Sequence, residues 1–428
     1  MVAANVSSSS KGSKDTKKPT SDKDVIYDWN EVKHRGEVFP KTIELCDETL
    51  RDGIQSPSVV DPAVETKCEM VALMDSLGIT VADIGLPGAG QRAVDDVTTI
   101  AKYVRDNKLQ IGLTCAARTV VKDIEPIVRI RDAVGVPITA YCFLGTSPIR
   151  QYAEDWDFDR LLKTTDEAIR FAVKNGLDTA FVTEDTIRSR PQTLDRLFRH
   201  VIELGCRRLT LCDTVGHATP DGIKNLVDWT RSLIEGTGED VKIDWHGHND
   251  RGLGVSNTIF ALEYGCDRAH GTCLGVGERV GNTSLDQVIV NLKLMGVYEH
   301  DVTHLVQYVR LTSEACRVPI PDNYPLVGRD AFRTATGVHA AAVIKAEKKG
   351  DNHLADLIYS GVPAGWFGKE QEIEIGHMSG LSNVRYWLEK RGVKVDDTLV
   401  QHIFDRAKST NRVLRDDEVW DLVKRFQG

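Results

Sequence analysis

From residue 42 onward, short apolar runs rich in β-branched residues alternate with longer stretches whose apolar residues recur at helical spacing. A run of the first kind predicts a buried parallel strand, and a stretch of the second kind predicts an amphipathic helix. Eight strand-like runs follow one another in this way. They are TIELCDETL (42–50), VADIGL (81–86), QIGLTCA (110–116), ITAYCFLG (138–145), TAFVTED (179–185), RLTLCDT (208–214), VKIDWHGH (241–248) and RAHGTCLG (268–275).

The stretches between these runs predict helices, of which the clearest lie at 65–78, 158–176 and 220–236. Glycines at 78, 176 and 205 fall where a left-handed residue would end a helix. Eight repeats of strand and helix predict an α/β fold, a (β/α)₈ barrel. An open doubly wound sheet is the alternative. No G-x-G-x-x-G follows the first strand, which argues against a dinucleotide-binding version of that sheet.

After about residue 300 the pattern changes. Helices are predicted at 302–317, 353–360, 382–392 and 397–409, and one strand at 372–376 has no evident partner. We therefore expect a barrel domain at 25–300 and a mostly helical region at 301–428, packed on the barrel or on a partner subunit. Residues 1–24 are rich in Ser and Lys and predict a disordered tail, with an organelle transit peptide as the weaker alternative.

Charge and cysteine content narrow the class of protein. The 54 basic and 63 acidic residues give a net charge of −9, which argues against a nucleic-acid-binding protein. No apolar run approaches the length of about 18 residues that a membrane span needs. The nine cysteines are scattered and contain no C-x-x-C pair, so we expect free buried thiols in a reducing, cytoplasmic compartment.

Polar residues at the ends of the predicted strands are the candidates for chemistry, because barrel active sites lie at that edge. His246 and His248 are two positions apart on one strand, so both imidazoles would point into the barrel mouth. Asp52 follows the first strand and could complete a divalent metal site for Mg²⁺, Mn²⁺ or Zn²⁺, with Asn282 adding an oxygen. The alternative is a pair of core or surface histidines.

Five further positions each admit two interpretations. Arg51 forms either an ion pair at the rim or a cation that polarises a bound carbonyl group. Glu184 is either a helix cap or a catalytic acid or base, and Thr214 is either a cap or a donor to a substrate carboxylate. Gly275 and Gly277 form either a plain turn or a loop that lets the backbone approach a phosphate-bearing cofactor.

Three motifs together resemble one family. D-E-T-L-R-D-G-I-Q-S-P (47–57), H-G-H-N-D-R-G-L-G-V-S-N (246–257) and G-T-C-L-G-V-G-E-R-V-G-N-T-S-L-D (271–286) are similar to those of the 2-isopropylmalate, homocitrate and citramalate synthases. These enzymes belong to the metal-dependent TIM-barrel superfamily that also holds hydroxymethylglutaryl-CoA lyase. The resemblance implies that acetyl-CoA and a 2-oxo acid condense in a Claisen-type reaction, and that the thioester is then hydrolysed to a 2-substituted malate and CoA.

The resemblance also implies roles for single residues. The metal ligands would be Asp52, His246 and His248, with Asn282 as a fourth, and Arg51 would polarise the ketone. Gln55 and Thr214 would bind substrate, and Glu184 would be a catalytic glutamate. His339, in T-G-V-H (336–339), would help to remove the acetyl proton. If His339 serves a neighbouring subunit, the protein is at least a dimer, and we expect a homodimer. The alternative is a monomer whose C-terminal region folds back on its own barrel.

The identity of the 2-oxo acid is left open. Position 54 is Ile, where the family usually has Glu or Asn. Leu86, with Ile84, predicts an apolar pocket for a branched acid such as 2-oxoisovalerate. Arg118, Arg150, Arg188 or Arg190 would instead pair with a distal anion, as in 2-oxoglutarate or phosphonopyruvate, the substrate of phosphonomethylmalate synthases. Two rival functions are a retro-Claisen lyase, for which the expected cysteine loop is missing, and an inactive barrel that serves as a binding module.

Overall fold

The computed structural model describes residues 24–31 and 39–427. It separates into two units, residues 1–37 and 38–428. In the first unit the only described element is a short 3₁₀ turn at Trp29–Glu31. The disordered tail predicted for residues 1–24 lies outside the described residues except for Asp24.

The second unit contains a closed barrel of eight parallel strands, in which each strand pairs with the next along the chain and β8 pairs with β1. This closure confirms the predicted fold and makes the open-sheet alternative wrong. All eight predicted runs contain a strand. The strands are β1 (Glu44–Asp47), β2 (Val81–Asp83), β3 (Gly112–Arg118), β4 (Ile138–Gly145), β5 (Thr179–Glu184), β6 (Arg208–Asp213), β7 (Lys242–Gly247) and β8 (Arg268–Gly271).

Helices cover the outside of the barrel, and all of them except the short α4 contribute buried apolar residues. Gly78, Gly176 and Gly205 have positive φ angles next to helix ends, as predicted. The helices are α1 (Val64–Ser76), α2 (Gln91–Asp106), α3 (Val121–Val134), α4 (Pro148–Ala153), α5 (Phe158–Lys174), α6 (Pro191–Glu203), α7 (Pro220–Glu235), α8 (Gly254–Glu263) and α9 (Leu285–Leu294).

The C-terminal region is mostly helical, but its strand is not alone. A two-residue strand, β9 (Arg333–Thr334), pairs in parallel with β10 (Glu372–Ile373), so the prediction of an unpartnered strand is wrong. Two helices, α11 and α15, are absent from the prediction. The helices are α10 (Leu305–Cys316), α11 (Gly337–Lys348), α12 (Asn352–Leu357), α13 (Leu381–Lys390), α14 (Asp397–Lys408) and α15 (Asp416–Gln427).

The hydrophobic cores follow this division only in part. The barrel core continues past residue 300 through Tyr308 to Phe367. A separate core around Trp387 joins α13, α14 and α15, and a third joins α11 and α12 to β10. The domain boundary at residue 300 stays a prediction.

All nine cysteines are buried and unpaired, as their scattered spacing predicts. In the described part of the chain, every helix is too short or too polar to cross a lipid bilayer.

Candidate active site

A cavity of about 230 Å³ opens at the carboxyl ends of the barrel strands. Parallel strands bring these ends to one edge, where the following loops supply polar side chains. The lining residues are Glu48, Arg51, Asp52, Gln55, Ala116, Tyr141, Phe143, Val182, Glu184, Thr210, Cys212, Thr214, His246, His248, His270, Glu278 and Arg279.

Asp52, His246 and His248 form one cluster on the wall of this cavity. The Nε2 atoms of both histidines lie 3.7 Å from Asp52 Oδ2. Ligands that share a Zn²⁺ or Mn²⁺ ion at about 2.1 Å leave a spacing of this size between their donor atoms. Burial holds the pKa of His248 down to about 4, which keeps its imidazole in the neutral form that binds metals. These residues therefore fit a divalent ion.

Asn282 reaches the same cluster from the loop after β8. Its Nδ2 donates to Asp52 Oδ2 at 2.5 Å, and its Oδ1 is buried with no hydrogen-bond partner in the structure. An unsatisfied buried oxygen is costly unless a ligand completes it. The structure thus brings together all four residues predicted as metal ligands, and one of them, Asn282, offers an oxygen that has no other partner.

Arg51 lies in the cavity wall and donates to three carboxylates. Its Nε meets Asp83 Oδ2 at 2.7 Å, its Nη1 meets Asp52 Oδ1 at 2.8 Å, and its Nη2 meets Glu48 Oε1 at 3.1 Å. Burial raises the pKa of Asp52, but the charges of Arg51, His246 and His248 together hold that pKa below its usual value. The guanidinium is therefore fixed in orientation while one edge of it faces the cavity.

Glu48 is a site residue that the sequence reasoning missed. Its Oε2 accepts a hydrogen bond from His246 Nδ1 at 2.6 Å, and its Oε1 accepts one from His270 Nδ1 at 3.0 Å. Burial raises the pKa of Glu48, but the two histidines together hold it well below the usual value. Strand alternation could have indicated it, because Glu44 and Glu48 share an inward face with Cys46 between them.

Glu184, Thr214 and Gln55 also line the cavity. Glu184 is half-buried, burial raises its pKa, and Arg150 lies 3.5 Å from its Oε1. Thr214 accepts a hydrogen bond from the Asp185 amide at 2.8 Å, so its hydroxyl hydrogen is available to donate. The structure thus places these three predicted residues in the cavity.

Three other predicted residues do not line it. Arg118 pairs with Asp123 through two hydrogen bonds of 2.7 and 2.9 Å, and its side chain is largely exposed. Leu86 lines a neighbouring cleft. His339 is exposed on α11, where its ring stacks on Tyr359 with 4.1 Å between ring centroids.

Gly275 and Gly277 have a local packing role. A side chain at 277 would overlap the Asn282 amide oxygen, and a Cβ at 275 would lie 2.5 Å from Ser284 Oγ. Both glycines therefore allow the loop to fold tightly under Asn282. Contact with a cofactor stays a prediction.

Comparison with known proteins identifies the family of this chain. Residues 42–313 match the protein family described as HMGL-like, which is more than half of the chain. A homocitrate synthase (AksA) from Methanothermobacter thermautotrophicus is 31% identical over 400 residues, which cover 91% of this chain and 95% of the relative. A 2-isopropylmalate synthase from Sulfolobus acidocaldarius is 29% identical and covers 87% of this chain and 92% of its own.

Solved structures agree on the fold. An HMG-CoA lyase from Bacillus subtilis superimposes with a TM-score of 0.56 at 20% identity, over 66% of this chain and 96% of its own. At this identity the likeness shows the fold alone. The sequence relatives decide the group, and they are named as 2-isopropylmalate, homocitrate and citramalate synthases. The chain therefore belongs to the HMGL-like family, within its group of 2-isopropylmalate, homocitrate and citramalate synthases.

Proposed function

We propose that this protein condenses acetyl-CoA with a 2-oxo acid and hydrolyses the thioester, releasing CoA and a 2-substituted malate. The observation that carries the proposal is the cluster of Asp52, His246 and His248, with Arg51 beside it in one cavity. The relatives named as synthases support the same reaction class.

Asp52, His246 and His248 would hold a divalent ion, with Asn282 as a fourth ligand. Bound there, the ion would act as a Lewis acid on the carboxylate and ketone of the 2-oxo acid. Arg51 faces the same space and stabilises negative charge that develops on the ketone oxygen during attack. Its three carboxylate contacts fix the guanidinium in advance, so little reorganisation is needed at the moment of reaction.

The reaction also needs a group that takes a proton from the acetyl methyl carbon. The new carbon–carbon bond forms at that carbon, and water later cleaves the thioester to leave a carboxylate and a thiol. Glu184 is a half-buried carboxylate with a raised pKa on the cavity wall, and we assign it to proton transfer. Thr214 and Gln55 bind the substrate carboxylate, and the loop of Gly275 and Gly277 approaches acetyl-CoA.

His339 completes the assignment from outside the cavity. It is exposed on α11 and does not line the cavity of its own chain in the described structure. We therefore assign it to the site of a second copy, which makes the protein a homodimer.

The cavity wall favours a 2-oxo acid with an uncharged side chain, such as 2-oxoisovalerate. Ala116, Phe143 and Val182 supply apolar surface. Its arginines are already engaged, since Arg51 contacts three carboxylates and Arg279 pairs with Asp250 at 2.9 Å. A distal anion, as in 2-oxoglutarate or phosphonopyruvate, finds no free cation among the described lining residues.

The test is thiol release from acetyl-CoA with Mn²⁺ or Mg²⁺ over a panel of pyruvate, 2-oxoisovalerate, 2-oxoglutarate, oxaloacetate and phosphonopyruvate. We expect release with 2-oxoisovalerate, a product mass equal to both substrates plus water less CoA, and no release from His246→Ala or after chelation. His200→Gln, on the outer face of α6, is the matched control. No release with any acid from folded, metal-loaded protein would contradict the proposal, and cleavage of hydroxymethylglutaryl-CoA would favour the lyase.

A further inference from the structure

A connected set of charged side chains lies inside the barrel and reaches the cavity, which two of its members, Glu48 and His270, line. Four neighbouring strands, β6, β7, β8 and β1, contribute polar residues, and those on one strand are spaced by an even number of positions and so share its inward face. We call this set the inner column. It consists of Glu44, Glu48, Arg208, Asp244, Arg268 and His270.

The lower half of the inner column is an ion-pair network. Arg208 and Arg268 both contact Glu44 and Asp244, and Arg268 also donates to the Tyr141 hydroxyl at 2.6 Å. Three carboxylates face three cations when His270 is protonated. Buried charges are tolerated when they are paired in this way.

His270 links this network to the cavity. It is 1% exposed, its Nε2 lies 3.0 Å from Asp244 Oδ2, and its Nδ1 lies 3.0 Å from Glu48 Oε1. Both partners are carboxylate oxygens, which only accept. Each ring nitrogen therefore donates a hydrogen, and the ring is held from both sides.

Glu48 carries that constraint to the candidate metal site. Its Oε2 accepts from His246 Nδ1, which fixes the tautomer of His246 and leaves its Nε2 lone pair facing Asp52. Its Oε1 accepts from Arg51 Nη2 as well as from His270. One carboxylate thus orients a predicted ligand and the predicted polarising arginine.

We propose that His270, held by Asp244, is a positioning residue that acts through Glu48 to orient His246 toward a divalent ion and Arg51 toward the substrate. This inference rests on the metal site proposed above. His270 lines the cavity but acts through Glu48 in this arrangement, because carboxylates hold both of its ring nitrogens. Carboxylates and their partners behind a ligating histidine commonly affect metal affinity by about 10- to 100-fold.

A second metal site is the rival interpretation. Cys46, Glu48 and His270 offer donor atoms that lie within 4.8 Å of one another. Both nitrogens of His270 are already occupied by carboxylates, however, so neither has a lone pair free for an ion. The inner column is therefore better explained as support for one ion than as the site of another.

The experiment measures metal binding without turnover. Chelator-treated protein is titrated with Mn²⁺ by calorimetry, and the Co²⁺-loaded protein is compared by visible absorption. The variants are His270→Gln and the control His200→Gln, whose ring contacts Asp166 at 2.9 Å outside the barrel. Circular dichroism checks folding, and Glu48→Gln replaces His270→Gln if that variant does not fold.

We expect wild type and His200→Gln to bind one ion per chain with equal affinity. His270→Gln should bind about 10- to 100-fold more weakly, with a changed Co²⁺ spectrum. A folded His270→Gln with the affinity and spectrum of wild type would overturn the inference, as would two ions per wild-type chain with one lost in the variant. If wild type binds no ion, the proposed function fails, and the inference fails with it. If wild type binds one ion and His270→Gln binds it equally well, only the inference fails.

Discussion

The Asn282 amide oxygen occupies the space that a side chain at Gly277 would need. Gly277→Ala must therefore push Asn282 away from Asp52, to which it donates at 2.5 Å. We expect metal affinity to fall by about 10-fold or more, as for other changes around metal ligands. Calorimetry with Mn²⁺ measures the effect.

The control for that change is Gly361→Ala, because no atom lies within 4 Å of a Cβ at position 361. It should bind the ion as wild type does. Equal affinities for Gly277→Ala and wild type would mean that Asn282 is not a ligand.

Arg51→Lys tests whether catalysis depends on the shape of the Arg51 guanidinium as well as on its positive charge. A lysine keeps the positive charge but cannot span Asp83, Asp52 and Glu48 at once, because its three donors share one nitrogen. We expect kcat to fall by about 10²- to 10³-fold, the usual loss when one donor to a developing oxyanion is removed.

Steady-state kinetics with 2-oxoisovalerate provide the measurement. Arg118→Lys is matched to it, since Arg118 also pairs bidentately but outside the cavity. The assignment of Arg51 is wrong if both substitutions lower kcat to the same extent.

Mixing two inactive variants tests whether His339 serves a second copy. His246→Ala and His339→Ala should each be inactive alone, because one lacks the metal site and the other lacks the histidine that helps to remove the acetyl proton. If His339 acts across the dimer, co-refolded mixtures regain roughly a quarter of wild-type activity, since half of the dimers are mixed and each holds one intact site. Thiol release measures the recovery. Mixtures that stay inactive would mean that His339 serves its own chain, and an active His339→Ala would place His339 outside the reaction.

Asp286 makes stability depend on pH. It is buried and accepts from the Leu274 amide at 2.8 Å and the Tyr324 hydroxyl at 3.0 Å, and burial raises its pKa to about 6. A carboxyl whose pKa is higher in the folded state stabilises that state when protonated, so its contribution is lost as pH rises from about 4 to above 6. Asp286→Asn removes this loss.

We expect the unfolding free energy of wild type to fall relative to Asp286→Asn by about 2–3 kcal/mol across that range. Urea titrations at pH 4, 5, 6 and 7 give the values. Asp159→Asn, on the exposed side of α5, should follow wild type at every pH. Parallel curves for wild type and Asp286→Asn would show that Asp286 does not titrate there.

Local sequence patterns were enough to predict the barrel, but they could not predict the side-chain contacts between strands that are distant in the sequence. Each strand and helix is encoded by a periodicity within a few residues, and the ligand set stands at strand ends that any closed barrel brings together. Glu48 and His270 are 222 positions apart, and only closure of β8 against β1 makes them neighbours.

Other differences have local causes. The position of Arg118 after a strand predicts contact with substrate, but in the structure Arg118 pairs with Asp123, five positions later in the chain. The partner of β10 was missed because β9 has only two residues, too few for any periodicity.

The burial of all nine thiols also determines the background signal of the thiol-release assay. Burial raises the pKa of Cys206 to about 11 and that of Cys316 likewise, so these sulfurs stay protonated and out of reach of an aromatic disulfide reagent. In an assay of native protein, the absorbance change of the reagent then measures released CoA, because the protein's own thiols do not react. The same reagent added without substrate measures the rate of unfolding, because each chain that unfolds exposes nine thiols.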